Sequence, residues 1–246
     1  EMTCPRVLVC TGGLSYPRTG SDGDGYAFAS GAGLKVTPRI PSLVPLETEE
    51  RWPADAMGLS LKNVGLTVRD AARNDKILYE DFGEMLFTHF GVSGPMILSA
   101  SAHLRPMERG RYRLRLDLKP ALDEKTLDHR LQSDFAKYAA RDFANALGDL
   151  LPAKLIPVIV RLSGIDPHRK VHSLTRAERL SLGKLLKHLE LTVRDFRPIT
   201  EAVVTAGGVE VRELNPRTME AKAVRGLFFA GEVIDLDAYT GGFNLQ

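Results

Sequence analysis

Only two cysteines and one tryptophan occur among the 246 residues. Cys4 and Cys10 are spaced neither as CxxC nor as part of a disulfide framework, so free structural thiols in a reducing compartment are expected, and with them a cytoplasmic location. No apolar run approaches the roughly 20 residues of a membrane span. The opening "EMTCPRVLVC" also lacks a basic region followed by an apolar signal core, so no membrane partner is expected. Net charge is only +2, too little to mark the whole chain as a nucleic-acid binder. His168, His172 and His188 share no metal-ligand spacing with one another or with the cysteines, and no metal is predicted. A GxGxxG fingerprint is absent as well.

What is present reads as a globular chain with an interrupted pattern. Residues Arg6 to Cys10, "RVLVC", form a short β-branched run ended by Thr11-Gly12-Gly13, as expected of a parallel strand buried on both faces. The small residues from Tyr26 to Leu34 suit a helix packed closely on a sheet. Pro38, Pro41 and Pro45 then forbid a helix and carry the chain out of this unit in extended form. Strand signals follow in "LSLKNVGLTVRD" and "KILYEDFGEMLFTHFG". In "GRYRLRLDL", Tyr112, Leu114, Leu116 and Leu118 alternate with polar residues, the mark of a half-buried antiparallel strand. The period then changes to that of a helix.

Three helices are predicted: one across Asp123 to Leu151, one opened by Pro152 and ended by Gly164, and one begun by the capping-box spacing Thr175 to Glu178 and running through Leu189. Strand signals return, and "VRGLFFAGEV" mirrors "VCTGG" in ending an apolar run on a small residue and glycine. The likeness predicts two pieces of one doubly wound sheet, 1–39 and 224–246, around an insert at 40–223. The insert divides into an antiparallel β-barrel (40–120 and 190–223) and a three-helix subdomain (121–189).

Candidate site residues cluster at these two ends. Thr11, Gly12 and Gly13 let backbone approach a ligand, or simply make a tight turn. Past the second strand, Gly231 permits close approach, while Glu232 and Asp235 offer carboxylates where a ribityl or ribose hydroxyl would donate. Gly241, Gly242, Phe243 and Asn244 would offer free amides to a pyrophosphate or a flavin ring oxygen. The alternative makes Glu232 and Asp235 ordinary loop carboxylates and the glycine pair a hinge. Tyr16, Arg18 and Asp22 line a cleft or form a self-stabilised polar loop. His89 sits between Thr88 and a Gly-rich turn ending in Pro95, either as a proton donor or as a backbone-bonded loop histidine. His103 and His129 read as part of a solvated face.

The stretches "TGGLSYPRTGSDGDGYAFASGAGLKV", "GEMLFTHFGVSGPMIL" and "TAGGVEVRELNPRTMEAKAVRGLFFAGEVIDLDAYTGGFNLQ" resemble the HI0933/YhiN-type (BaiN-like) flavoprotein family. The resemblance implies an α/β, Rossmann-like FAD-binding domain interrupted by a barrel-plus-helical insert. It also implies an FAD-dependent oxidoreductase that draws electrons from NAD(P)H and acts on a small-molecule substrate. It places the fingerprint unit before Arg6 and a helix after Gln246 outside this sequence, as expected of a fragment. Two further readings stand beside it. One is an RNA-modifying flavin reductase docked through a basic stripe of Lys137, Arg141, Arg161, Arg169, Lys170, Arg176 and Arg179; the other is a non-catalytic insert fragment.

Overall fold

The structure, a computed structural model, describes residues 4–240 and 242–245. In chain order the elements are β1 (Val7–Val9), α1 (Asp24–Gly31), β2 (Ile40–Ser42), β3 (Leu46–Thr48), β4 (Ser60–Asp70), β5 (Lys76–Phe87), β6 (Gly91–Ser93), α2 (Pro95–Ser101), β7 (Tyr112–Asp117), α3 (Glu124–Lys137), α4 (Ile156–Ser163), α5 (Arg176–Lys187), β8 (Leu189–Phe196), β9 (Val204–Ala206) and β10 (Leu227–Phe229). They fall into two units. The first gathers the chain up to Pro45, Ile97–Arg105 and the chain from Phe196 onward; the second is Leu46–Met96 with Pro106–Asp195.

In the first unit the two ends of the chain meet. β1 and β10 pair in parallel, Val7 opposite Leu227 and Val9 opposite Phe229. Tyr26 and Ala29 of α1 join Val9, Phe229 and Val233 in one buried cluster, so the helix covers the pair with its apolar side. α1 starts two residues earlier than its apolar pattern suggests. Asp22 accepts from the Asp24 amide at 3.1 Å, and Gly23 takes φ 93°, a left-handed value open to glycine, which turns the chain into the helix sooner. The proline-rich segment is extended as expected, with Ile40–Ser42 pairing antiparallel with Val204–Ala206.

The second unit is a closed six-stranded antiparallel barrel, in the order β3-β6-β5-β4-β7-β8. The Glu49 amide donates to the Thr192 carbonyl at 2.9 Å where β8 returns to β3. The alternation read in "YRLRLD" is the reason for closure. Leu114 and Leu116 point inward, where Leu114 faces Val68 and Leu191 and Leu116 faces Leu66 and Leu189 across the neighbouring strands. At the end of β4, Arg111 forks onto the Asp70 carboxylate at 3.0 and 2.8 Å, and the Asp70 side chain is almost wholly covered. That fork, more than any other contact, holds the Asp70 carboxyl below its usual range. Gly94, with φ 98°, is needed between β6 and α2: a side chain there would begin 2.8 Å from the Met85 Cα.

Three helices occupy the predicted region, with altered bounds. α3 stops at Lys137, and Leu147 and Leu150 are buried without belonging to an α-helix. Backbone pairing with a distant stretch draws the chain away: Phe143 N donates to Arg169 O at 2.8 Å and Ala144 N to Pro167 O at 3.1 Å. α4 begins at Ile156 with Pro157 in its first turn, rather than at Pro152, and ends at Gly164 with φ 69°. α5 carries the predicted capping box, and bonding to Thr175, reinforced by Arg169, pulls the Glu178 carboxyl down to about 2. Leu189 opens β8 instead of extending this helix. The barrel-and-helix unit is narrower than the 40–223 span expected of the insert, because β2 and β9 pair within the first unit. No helix among the described residues is long and apolar enough to cross a membrane.

Leu114 is fully buried in the barrel. Leu114→Ala is expected to lower unfolding free energy by about 2–5 kcal/mol in urea denaturation followed by circular dichroism, through lost burial and an unfilled cavity. A loss below about 1 kcal/mol would mean that the barrel interior collapses around the gap.

Candidate functional site

Because β1 and β10 are adjacent and parallel, the loops that leave their carboxyl ends lie side by side. Thr11-Gly12-Gly13 departs from one strand and Gly231-Glu232-Val233 from the other. The Ser15 hydroxyl donates to Glu232 Oε1 at 3.0 Å, so the two loops touch. In open α/β sheets such a crevice beyond the carboxyl ends of parallel strands is where ligands bind. The amides of Gly12, Gly13, Gly231 and Glu232 make no hydrogen bond among the described residues. Donors left in this state at a strand end suit an anionic or acceptor-rich ligand.

Glu232 organises the site. Besides Ser15, its Oε1 accepts from the Thr205 amide at 2.7 Å. The Thr205 hydroxyl in turn accepts from Leu14 N at 2.7 Å and Ser15 N at 3.1 Å. Gly13 is glycine for this reason: a Cβ there would sit 2.3 Å from Glu232 Oε1 and 2.5 Å from Thr205 Oγ1. Gly12, at φ 73°, is hemmed in by Ser21 Oγ. Gly231 (φ 80°) and Gly242 (φ 91°) differ, since nothing among the described residues lies within 4 Å of where their side chains would begin. The first glycine pair therefore serves protein packing, whereas Gly231 and Gly242 leave open space.

The other predicted residues divide in the same way. Asp235 Oδ2 accepts from the Thr37 hydroxyl at 2.8 Å and is committed within the protein. Asn244 closes the final loop on itself: its Oδ1 accepts from Ala238 N at 2.7 Å, and its Nδ2 donates to the carbonyls of Ala238 at 2.7 Å and Tyr239 at 3.2 Å. The Phe243 ring is exposed. Gly241 lies outside the described residues. His89 belongs to the other unit, in the turn joining β5 to β6, exposed and edge-on to the Phe90 ring. That turn is closed by Thr88 N donating to Gly91 O at 2.9 Å and Gly91 N to Thr88 Oγ1 at 3.2 Å. Asp22 lines a cleft of about 320 Å³ with Leu14, Tyr26, Ala27, Ser30 and Arg39, and Tyr16 and Arg18 are not among its walls.

Two buried hydroxyls near the crevice have no hydrogen-bond partner among the described residues, Thr11 Oγ1 and Tyr26 Oη. Thr11 Oγ1 lies 2.0 Å from where a Cβ on Gly25 would be, so the start of α1 approaches the end of β1 only because residue 25 is glycine. Burial, followed by the charge of Glu232, pushes the Tyr26 phenol up to about 12 despite the Arg39 guanidinium over its ring. Orphaned hydroxyls, unpaired amides and open glycines fit a flavin nucleotide, which is rich in acceptors and hydroxyls.

Several residues of this neighbourhood left no sequence signal. Thr205, Ser15 and Thr37 are single hydroxyls in unremarkable contexts, and nothing short of the tertiary pairing singles them out. His103, expected on a solvated face, is instead partly buried against the final loop, its Nε2 2.5 Å from the Tyr239 hydroxyl. Burial, then Arg105, hold its imidazole below the ordinary histidine range. The basic stripe is likewise changed by its neighbours. Lys137, Arg161, Arg169, Lys170 and Arg179 are paired with Asp149, Asp55, Glu178, Asp142 and Asp128 at 2.5–2.7 Å, and Arg141 stacks 4.3 Å over the Tyr138 ring. Among the described residues, no group of three or more His, Cys, Asp or Glu side chains is placed to hold a metal ion.

Comparison with known proteins matches residues 40–204 to the family described as "HI0933-like protein barrel and H2TH domain". The chain is 31% identical over 98% of its length to a 3-dehydro-bile acid delta(4,6)-reductase of Clostridium scindens. It is 32% identical to ribosomal RNA dihydrouridine synthases of Haemophilus influenzae, over its whole length, and of Escherichia coli, over 99% of it. In each case the chain spans 58% of the relative.

Thr205→Val keeps the shape of a fully buried side chain and removes the acceptor for two amides. It is expected to cost about 1–3 kcal/mol in urea denaturation, and a neutral result would mean the Leu14 and Ser15 amides find another acceptor. The raised Tyr26 pKa gives an alkaline signature. The phenol contributes stability below its unfolded pKa of about 10, and that contribution fades as pH rises toward 12. Absorbance titration of wild type against Tyr26→Phe should therefore show one tyrosine ionising only near pH 12.

Proposed function

The chain belongs to the HI0933-like family, and from that premise we propose that it serves an FAD-dependent oxidoreductase drawing electrons from NAD(P)H. The observation that carries this reading is the parallel β1–β10 pair, with two glycine loops and their unpartnered amides side by side at its carboxyl end. In this reading the amides of Gly12, Gly13, Gly231 and Glu232, the Thr11 hydroxyl and the open glycines Gly231 and Gly242 hold the cofactor. Glu232 fixes the spacing of the two loops through Oε1, and its Oε2, which has no partner among the described residues, faces a ribityl or ribose hydroxyl. Bound FAD would supply hydride transfer. The protein's part is to seat the ring, keep the loops from moving and deliver protons. His89, an exposed imidazole in the turn closed by Thr88 and Gly91, is proposed as a proton donor.

A small molecule is the favoured substrate class. Two relatives bear a name that involves ribosomal RNA, and that is the reason to test RNA directly. The helical subdomain speaks against a strong basic platform there, because five of the seven cations expected to form it are neutralised by acidic partners.

Fluorescence titration of the purified protein with FAD is the first test: quenching that saturates supports the reading, and its absence overturns it. Gly231→Val should weaken FAD binding about tenfold or more by filling open space at φ 80°. His89→Gln should lower turnover by about 10²-fold and flatten the pH profile; unchanged turnover at every pH removes His89 from proton transfer. For RNA, binding that weakens by less than about tenfold between 50 and 200 mM salt would agree with the neutralised helical face.

A further inference from the structure

The described part of the final loop, residues 236–240 with 242–244, has almost no regular structure of its own, yet it is held at three points. Asn244 ties its end back to Ala238 and Tyr239. The other two ties come from the distant segment Ile97–Arg105, which belongs to the same unit. Arg105 forks onto Asp237, Nη2 to Oδ2 at 2.5 Å and Nη1 to Oδ1 at 3.3 Å. Ser42, fully buried, sits inside the fork, donating to Asp237 Oδ2 at 2.7 Å and accepting from Arg105 Nη2 at 3.1 Å. His103 meets Tyr239 two residues further along.

We infer that Arg105 is a positioning residue, which through Asp237 sets the geometry of the final loop and of its open glycine, Gly242, where the ligand is seated. The inference rests on the flavin reading above. A guanidinium–carboxylate fork fixes both direction and distance, where a single bond would leave the loop free to swing. The side chains are only 35% and 16% exposed, so solvent screens the pair less than a surface bridge. Burial pushes the Asp237 carboxyl up, but the bonds from Arg105 and Ser42 outweigh it, and the group stays ionised below the usual carboxylate range. Two features make the fork a loop device more than a core contact. Leu236 and Tyr239, on either side of Asp237, are largely exposed, so little apolar burial holds the segment. Arg105 also makes no hydrogen bond to the unpartnered amides at the strand ends, so its effect on a ligand runs through the final loop.

The test compares Arg105→Ala, Arg105→Lys and Arg105→Ala/Asp237→Ala with wild type in two measurements. The first needs no flavin: amide exchange at Ala238, whose N–H is bonded to Asn244 Oδ1. Arg105→Ala should speed exchange there about tenfold or more with barrel amides such as Leu114 unaffected, the double variant should be no worse than the single, and Arg105→Lys should fall between because it keeps charge but not the fork. The second is FAD affinity and the absorption spectrum of the bound flavin, where Arg105→Ala should weaken binding about tenfold and blur the spectrum. Wild-type exchange at Ala238 in Arg105→Ala overturns the inference, whether or not flavin binds. Faster exchange with unaltered FAD affinity and spectrum also overturns it, reducing the fork to a structural tie. Wild-type protein without affinity for FAD overturns the flavin reading instead, while the exchange result still decides whether Arg105 sets the loop.

Discussion

One carboxylate oxygen, Glu232 Oε1, joins three stretches of chain that are far apart in sequence. It takes a bond from the Ser15 hydroxyl in the loop after β1 and one from the Thr205 amide in β9, and it belongs itself to the loop after β10. Thr205 completes the junction by accepting from the amides of Leu14 and Ser15. A partly buried charge held this way gains about twice the energy of neutral hydrogen bonds, and removing either partner leaves donors without acceptors. The spacing of the two glycine loops, and so the width of any crevice between them, follows from this junction. Gly13 is the concession the sequence makes to it, since any side chain would displace the carboxylate.

The glycines of the motif consequently do different work. Gly12, Gly13 and Gly25 are small because protein atoms crowd them, with Ser21, Glu232 and Thr11 respectively in the way. Gly231 and Gly242 are small with nothing among the described residues near them. Sequence alone treats all five alike. Neighbours separate a glycine that allows a close chain crossing from one that leaves room for a ligand beside its Cα.

The barrel-and-helix unit owes its stability to ordinary causes: an inward row of leucines and valines, a covered Arg111–Asp70 fork, and capped helices whose cations pair with nearby acids. Pairing has a functional consequence. A row of Lys and Arg at helical spacing looks like a nucleic-acid face, but a cation 2.7 Å from a carboxylate has little field left for a phosphate.

The sequence by itself determined the element types and the broad order. The strict alternation in Tyr112–Asp117 marked a barrel strand, the Thr175 and Glu178 pair marked a helix start, and the likeness of "VCTGG" to "FAGE" pointed to strands that indeed pair in parallel. These are local signals, set by side-chain period and capping chemistry. Helix ends were less legible: α3 stops at Lys137 because Phe143 and Ala144 bond to the distant Arg169 and Pro167, which no local pattern records. The site was half legible. Its glycines and carboxylates stand out as residue types, but Thr205, Ser42, His103 and Arg105 acquire their roles from partners 27, 195, 136 and 132 positions away. Tertiary structure alone decided which carboxylates are committed inside the protein and which cations are neutralised, because both depend on distances of a few ångströms between residues that the chain order keeps apart.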